Sequence, residues 1–110
     1  MSITVQDKAR LLDRLSGSHR GTANGINARE LAQGLDMTLR EVRFAVTELR
    51  LEGIAVCGTP ETGYFIATTP EELEETCNFL RSRAMHSLTL ESKLRNVPLP
   101  ELLGQLRLKT

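Results

Sequence analysis

Two helix-start signals placed only eleven residues apart constrain the fold of this chain more than any other feature. Asn27 is followed three residues later by Glu30, and Thr38 is followed in the same way by Glu41. In such pairs the first side chain accepts a hydrogen bond from a backbone amide of the first helical turn, and the carboxylate returns to the cap. So short an interval leaves room for one small helix and a tight turn. The sequence therefore predicts two helices in direct succession, a helix-turn-helix.

Apolar residues at helical spacing predict a three-helix core in the first half of the chain. The helices are expected over residues 4–16, 28–35 and 38–52, and the glycine-rich segment GSHRGTANG predicts a flexible loop between the first two. Residues three and four apart lie on one face of a helix, so the apolar face of the third helix is expected to pack on the other two. The apolar faces consist of Val5, Ala9, Leu12 and Leu15 in the first helix and of Val42, Ala45, Val46 and Leu49 in the third.

Two short β-prone runs after the third helix predict a β-hairpin. They cover residues 54–57 and 64–67 and flank the turn-rich segment GTPETG. The order helix, helix, helix, hairpin is that of a winged helix, in which the hairpin forms the wing. The predicted fold class is therefore α+β and mostly helical, a three-helix bundle with a β-hairpin wing and a C-terminal helical extension.

The C-terminal extension is expected to begin with a long helix. Thr69, Pro70 and Glu72 supply a cap, a first-turn proline and a returning acid. A second, short helix is expected near the C-terminus. The sequence thus predicts a winged helix-turn-helix domain over residues 1–69 and a helical extension over residues 70–110.

An apolar stripe along the long helix predicts self-association. It consists of Leu73, Cys77, Leu80, Ala84 and Leu88. Packing of the stripe on the chain's own first domain is the alternative. We favour a homodimer, because a domain this small already fills its core with three helices and a hairpin.

The inventory of reactive residues does not favour an enzyme, a metal site or a membrane protein. Cys57 and Cys77 are separated in sequence and lack the paired spacing of a zinc site or a disulfide framework. His19 and His86 are not accompanied by a phosphate-binding loop, a nucleophile elbow or a carboxylate pair. The chain contains no apolar run long enough to span a bilayer, and because MSITVQDKARLLD lacks an apolar core we do not expect it to act as a secretory signal. We expect a cytoplasmic protein that is not an enzyme, with no metal and no cofactor.

The charge of the chain is balanced, with fourteen basic and fourteen acidic residues and a formal net charge of zero. Residues 1–56 contain eight Lys and Arg against seven Asp and Glu, and residues 70–110 contain six of each sign. The local distribution of charge sets the local potential. Any contact with an acidic partner must therefore come from a local arrangement of side chains.

The segment NARELAQGLDMTLREVRFAVTELRLEGI, followed by GYFIAT, resembles the winged helix-turn-helix DNA-binding domains of small bacterial and phage regulators. The resemblance covers about residues 4–68 and rests on the ELA motif, the turn before Thr38, the V-x-x-A-V-x-x-L core face and the L-x-x-x-G-I exit. It implies that the third helix lies in the major groove of double-stranded DNA. The residues then expected to contact DNA are Thr38, Arg40, Arg43, Phe44, Thr47, Arg50 and Arg29, with Arg40 and Arg43 first among them.

The function predicted on these grounds is sequence-specific binding of double-stranded DNA by a small dimeric transcriptional regulator. A replication or recombination accessory factor of a phage or plasmid is an alternative. So is a protein-interaction module that binds its partner through Phe44 and Leu51, although these apolar side chains could instead touch a thymine methyl. The segment GTPETG carries only an acid, so the wing is not expected to enter the minor groove.

Overall fold

In the computed structural model, residues 3–106 are described, and over them the chain is α+β and mostly helical, as predicted. This part of the chain forms five α-helices, a short 3-10 helix and one two-stranded antiparallel sheet. The elements are α1 (Val5–Ser18), the 3-10 helix (Thr22–Asn24), α2 (Ala28–Leu35), α3 (Leu39–Leu51), β1 (Val56–Thr59), β2 (Gly63–Ile66), α4 (Pro70–Arg95) and α5 (Leu99–Leu106). Their order is compatible with a winged helix.

The two predicted helix starts are both present, and they differ in completeness. The Thr38 hydroxyl accepts from the Glu41 amide at 3.0 Å, and the Glu41 carboxylate accepts from the Thr38 amide at 2.9 Å, which is a full capping box. Asn27 accepts from the Glu30 amide at 2.8 Å, whereas the Glu30 carboxylate accepts from the Asn27 side chain and not from its backbone. The chain turns between α2 and α3 at Asp36, which adopts a left-handed conformation.

The core of the first part of the chain lies where α1, α2 and α3 meet the hairpin. The buried residues of this cluster are Leu11, Leu15, Ile26, Leu31, Ala32, Leu35, Val42, Ala45, Val46, Leu49 and Val56. All four residues of the predicted α3 face belong to it. The predicted α1 face was partly wrong, since Leu11 and Leu15 are fully buried while Val5 is 79% exposed and Ala9 is exposed. The side of α1 that carries Leu11 and Leu15 is the one buried in the core, where α1 packs against α3 and β2.

The hairpin pairs β1 with β2 from Val56 opposite Ile66 to Thr59 opposite Gly63. Its first strand begins two residues later than predicted, because the Ile54 amide still donates to the Leu49 carbonyl at the end of α3. The hydrogen-bonding groups of residue 54 therefore complete the helix end before the strand starts.

The glycine-rich segment between α1 and α2 is tied to the hairpin, contrary to the flexible loop predicted. The Ile26 and Tyr64 backbones exchange two hydrogen bonds of 2.9 and 2.7 Å. The Gly21 amide donates to the Ile66 carbonyl at 2.9 Å, and the Ile66 amide donates to the His19 carbonyl at 2.8 Å. Backbone pairing along β2 thus orders a segment whose composition alone is typical of a loop.

A single carboxylate joins this segment to the start of α4. Glu72 accepts from the amide and hydroxyl of Thr22 at 2.7 and 2.8 Å, and from the amide and hydroxyl of Thr68 at 2.8 and 3.0 Å. The hydrogen bond from the Thr68 amide, followed by those from Thr22, lowers the pKa of Glu72 from 4.5 to about 2. These bonds favour the charged form of the carboxylate.

The lowered pKa of Glu72 predicts a pH-dependent stability. Above pH 4.5 the carboxylate is charged in both states, and its hydrogen bonds stabilise the folded state in full. That contribution is lost as the pH falls from 4.5 towards 2. Glu72→Gln is therefore expected to lower the urea midpoint at pH 7 and to approach the unaltered protein near pH 2. Urea unfolding at several pH values, with the exposed Glu71→Gln as control, checks this; a constant difference between unaltered and Glu72→Gln protein would contradict it.

The chain divides into two compact units, Met1–Thr76 and Cys77–Thr110, so the boundary falls within α4. In the second unit Ser92 and Leu102 are buried, and the Val97 amide donates to the Ser92 carbonyl at 2.9 Å where α4 ends. The residues of the predicted apolar stripe remain accessible to different degrees. Leu73, Cys77, Leu80 and Ala84 are exposed, and Leu88 is half-buried.

Candidate nucleic-acid interface

One face of α3 points outward because four apolar side chains anchor the opposite face. Val42, Ala45, Val46 and Leu49 are buried in the core. Successive residues of a helix are rotated by about 100°, so residues between these anchors lie on the far side. The exposed residues there, called the α3 face below, are Arg40, Arg43, Phe44, Thr47 and Leu51. The structure thus places five of the sequence-predicted residues together.

The arginines of this region have no acidic partner within the part of the chain that the structure describes. The guanidinium groups of Arg40 and Arg43 are exposed and make no hydrogen bond or ion pair with any described residue. The same holds for Arg29 in the first turn of α2. The nearby Glu41 carboxylate is held in the cap of α3 by the Thr38 amide. Three cationic side chains are therefore available to an external anion.

A shallow concavity brings two of these arginines beside a helix N-terminus. It has a volume of about 300 Å³ and is lined by Asn27, Ala28, Arg29, Leu39 and Arg43. The amide end of α2 carries a partial positive charge, and the two guanidinium groups add full charges. The concavity can hold a phosphate-sized anion. Sequence reasoning found Arg29 and Arg43 but not Leu39, because only the angle between α2 and α3 brings these residues together.

The two threonines predicted to contact DNA are exposed but already make internal hydrogen bonds. The Thr38 hydroxyl accepts from the Glu41 amide, which leaves its own proton available to a partner. The Thr47 hydroxyl donates to the Arg43 carbonyl at 3.0 Å, so its oxygen can still accept a hydrogen bond. The hydrogen bonds within α3 therefore leave the Thr38 hydroxyl as a donor and the Thr47 hydroxyl as an acceptor for an external partner.

Arg50 does not belong to the α3 face, contrary to the sequence prediction. Its Nε donates to the Val56 carbonyl at 2.7 Å, and the side chain is half-buried. Its Nη2 is also buried and has no hydrogen-bond partner among the described residues. Helical spacing alone would place Arg50 at the edge of the α3 face. Its hydrogen bond to the Val56 carbonyl instead directs the side chain towards β1. It holds α3 to β1, and we remove it from the candidate contacts.

Two apolar side chains lie on the α3 face at its middle and its end. Phe44 is 41% exposed and lies one helical turn after Arg40. Leu51, the last residue of α3, is 77% exposed. Thr47 lies between them on the same side of the helix. The apolar surface on this face is therefore interrupted by a polar group.

The tip of the hairpin offers no cation to a phosphate backbone. Between the strands the tip consists of Pro60, Glu61 and Thr62, of which only Glu61 is charged. The Thr62 hydroxyl accepts from the Thr59 amide at 3.0 Å and lies 2.9 Å from the Gly63 carbonyl. The tip is thus closed on itself by its own hydrogen bonds.

The two compact units differ in charge, which the balanced total conceals. Residues 1–76 contain eight Lys and Arg against twelve Asp and Glu, whereas residues 77–110 contain six against two. A division at residue 70 instead assigns the four acidic residues of the first α4 turns to the second part, which makes the charges there equal. Four of the six basic residues lie on α4, at Arg81, Arg83, Lys93 and Arg95. The first unit therefore has a net charge of −4, so any attraction of this unit to an anion depends on the local exposure of Arg29, Arg40 and Arg43.

Comparisons with known proteins do not assign this chain to a family, since no family model, curated protein or solved structure is detectably similar to it. Among residues 3–106, no group of three or more His, Cys, Asp or Glu side chains is arranged to hold a metal ion. No helix of the described chain has both the length and the apolar character needed to cross a membrane.

Proposed function

We propose that this protein binds double-stranded DNA in a sequence-specific manner, as a winged helix that inserts α3 into the major groove. The observation that carries the proposal is the α3 face, where Arg40 and Arg43 are exposed and have no hydrogen-bond or ion-pair partner among the described residues, and where Arg43 lies beside the amide end of α2. Arginine forms paired hydrogen bonds with guanine edges and with phosphates. Exposed arginine side chains on one face of a helix can therefore contact the base edges and the phosphates of the major groove.

The dimensions of α3 support this mode of binding. The helix has 13 residues and is therefore about 20 Å long, and a helix fits the major groove, which is about 12 Å wide. Arg40 and Arg43 lie in the first half of α3, the part that points to the base edges in helix-turn-helix proteins. The concavity at Arg29 lies on the side of α2, where it can receive a phosphate and fix the orientation of the helix.

A single module of this kind makes few phosphate contacts, so we propose that the protein acts as a homodimer. Affinity for DNA grows with the number of phosphates neutralised, and joining two modules raises the effective concentration of the second. The exposed side chains of Leu80 and Ala84 in the stripe on α4 support this surface as the contact between two copies. A small dimeric regulator of transcription is the role that fits these properties best.

A protein-interaction module is the second candidate, and the exposure of Phe44 and Leu51 favours it. An aromatic ring and a leucine on one helix face can enter a groove of another protein. The two candidates differ in their need for the arginines, which an apolar contact does not use. They also differ in salt dependence, since only DNA binding releases phosphate counterions.

The proposal is tested by selecting DNA from a random pool. Purified protein incubated with random double-stranded oligonucleotides is expected to enrich a sequence of two inverted half-sites, because a symmetric dimer contacts equivalent half-sites. Its affinity for that duplex should fall as salt rises. If the protein has the monomer mass of 12.2 kDa in solution and enriches a single half-site, the proposed dimer is contradicted but the proposed DNA binding is not. A pool that stays random would contradict sequence-specific DNA binding.

A further inference from the structure

Phe44 is exposed on α3 among residues that can contact phosphate, but its phenyl ring has no role in binding phosphate. The ring lies one turn after Arg40, next to Arg43 in sequence and one turn before Thr47. It is 41% exposed, although apolar residues on the opposite face of the same helix are almost completely buried. An exposed aromatic ring among cations does not strengthen contact with an anionic backbone.

The major groove contains one apolar group that a phenyl ring can recognise. The base edges there present hydrogen-bond donors and acceptors, and only thymine adds a methyl group. Phe44 lies in the first half of α3, between the two arginines and Thr47, and so it approaches the bases when those side chains do. The residues nearest to it on the α3 face, Arg40, Arg43 and Thr47, are polar, which suits base edges.

Leu51 does not share this position, and a protein partner does not explain Phe44 as well. Leu51 lies seven residues further on, about 10 Å along the helix axis and away from the half that points to the bases. Protein-binding patches are contiguous apolar surfaces, whereas Thr47 separates Leu51 from Phe44 and two arginines flank the ring.

We infer that Phe44 is a specificity-determining residue that contacts the 5-methyl group of a thymine in the major groove. The inference rests on the proposed DNA binding and adds the base that is recognised. Burial of one methyl group against the ring removes about as much apolar surface from water as burial of one methylene. The selected half-site must therefore contain a T·A pair whose methyl group contributes to affinity.

The test replaces thymine with deoxyuridine in the selected duplex, position by position. Deoxyuridine keeps the base pair and the charge and lacks only the methyl group. The unaltered protein is expected to bind about fourfold more weakly for each contacted methyl that is removed. Phe44→Ala is expected to bind the thymine duplex more weakly and to be indifferent to the replacement. Leu51→Ala, the matched control, should keep the thymine preference.

The other possible outcomes would overturn the inference, and they show whether the proposed DNA binding fails with it. Equal binding of the unaltered protein to thymine and uracil duplexes would overturn the inference while DNA binding stands, and this comparison needs no variant. A Phe44→Ala protein that retains the full thymine preference would overturn it as well, as would a selected half-site without a T·A pair. Failure to select any duplex would overturn the proposed function and this inference together.

Discussion

Replacing Arg40 and Arg43 together with alanine is expected to weaken binding to the selected DNA about 30-fold or more. A single well-placed arginine contact contributes about 1–3 kcal/mol, and these two side chains make no hydrogen bond or ion pair with residues 3–106 that would have to break first. If they contact phosphates, the salt dependence should also fall, by about one unit of logarithmic slope for each contact. Electrophoretic mobility shifts at several salt concentrations measure both quantities.

The matched control for this variant removes two positive charges elsewhere. Arg81 and Lys93 are exposed on α4 and make no ion pair with a described residue. Arg81→Ala with Lys93→Ala has the same net charge as the first variant but leaves the α3 face intact. We expect it to retain most of the affinity. An equal loss in the two double variants would show that total charge governs binding, and would contradict a specific role for α3.

Gly63→Ala is expected to destabilise the folded first unit by about 2 kcal/mol or more and to lower its melting temperature by roughly 10 °C. Gly63 has a φ of +74°, which costs an alanine about 1–2 kcal/mol. An added Cβ would also lie 2.6 Å from the carbonyl carbon and oxygen of Ile26, which are backbone atoms and cannot rotate aside. The clash falls where Ile26 pairs with Tyr64, so the hairpin and the entry to α2 should loosen together. Thermal unfolding followed by circular dichroism measures the effect.

Gly17→Ala makes the same substitution at another glycine but is expected to stabilise the folded protein. Gly17 lies within α1, and nothing is within 4 Å of the Cβ that alanine would add. Because glycine is a poor helix former, this variant should gain about 0.5–1 kcal/mol of stability. If Gly63→Ala left the melting temperature unchanged or raised it, as Gly17→Ala is expected to do, the close approach of β2 to Ile26 would not be important to the fold.

Local signals in the sequence were sufficient for the helices and for most of the α3 face. A cap, a returning carboxylate and an apolar repeat act over four to eight residues, so Thr38, Glu41 and Val42 predicted both the start of α3 and its orientation. Once the buried face of a helix is known, the outward face follows from helical geometry. That is why Arg40, Arg43 and Phe44 could be named from the sequence and were found exposed together.

Predictions failed where two elements compete for the same residue. Arg50 is at the edge of the α3 face by spacing, but the Val56 carbonyl lies within its reach only after the hairpin has folded back. Leu12 and Leu11 define two possible faces of α1, and packing of α1 against α3 and β2 leaves Leu11 fully buried and Leu12 half-buried. The segment before α2 contains Gly21 and Gly25, yet its backbone pairs with β2.

The sequence by itself determined the kind and order of the elements, because capping and apolar periodicity are interactions between near neighbours in the chain. Only the tertiary structure decided that Glu72 joins Thr22 to Thr68, that Arg29 and Arg43 share a concavity, and that Arg50 is withdrawn. These contacts join residues far apart in sequence, or side chains with two possible partners. Their energies depend on the angles between packed elements, which no local pattern specifies.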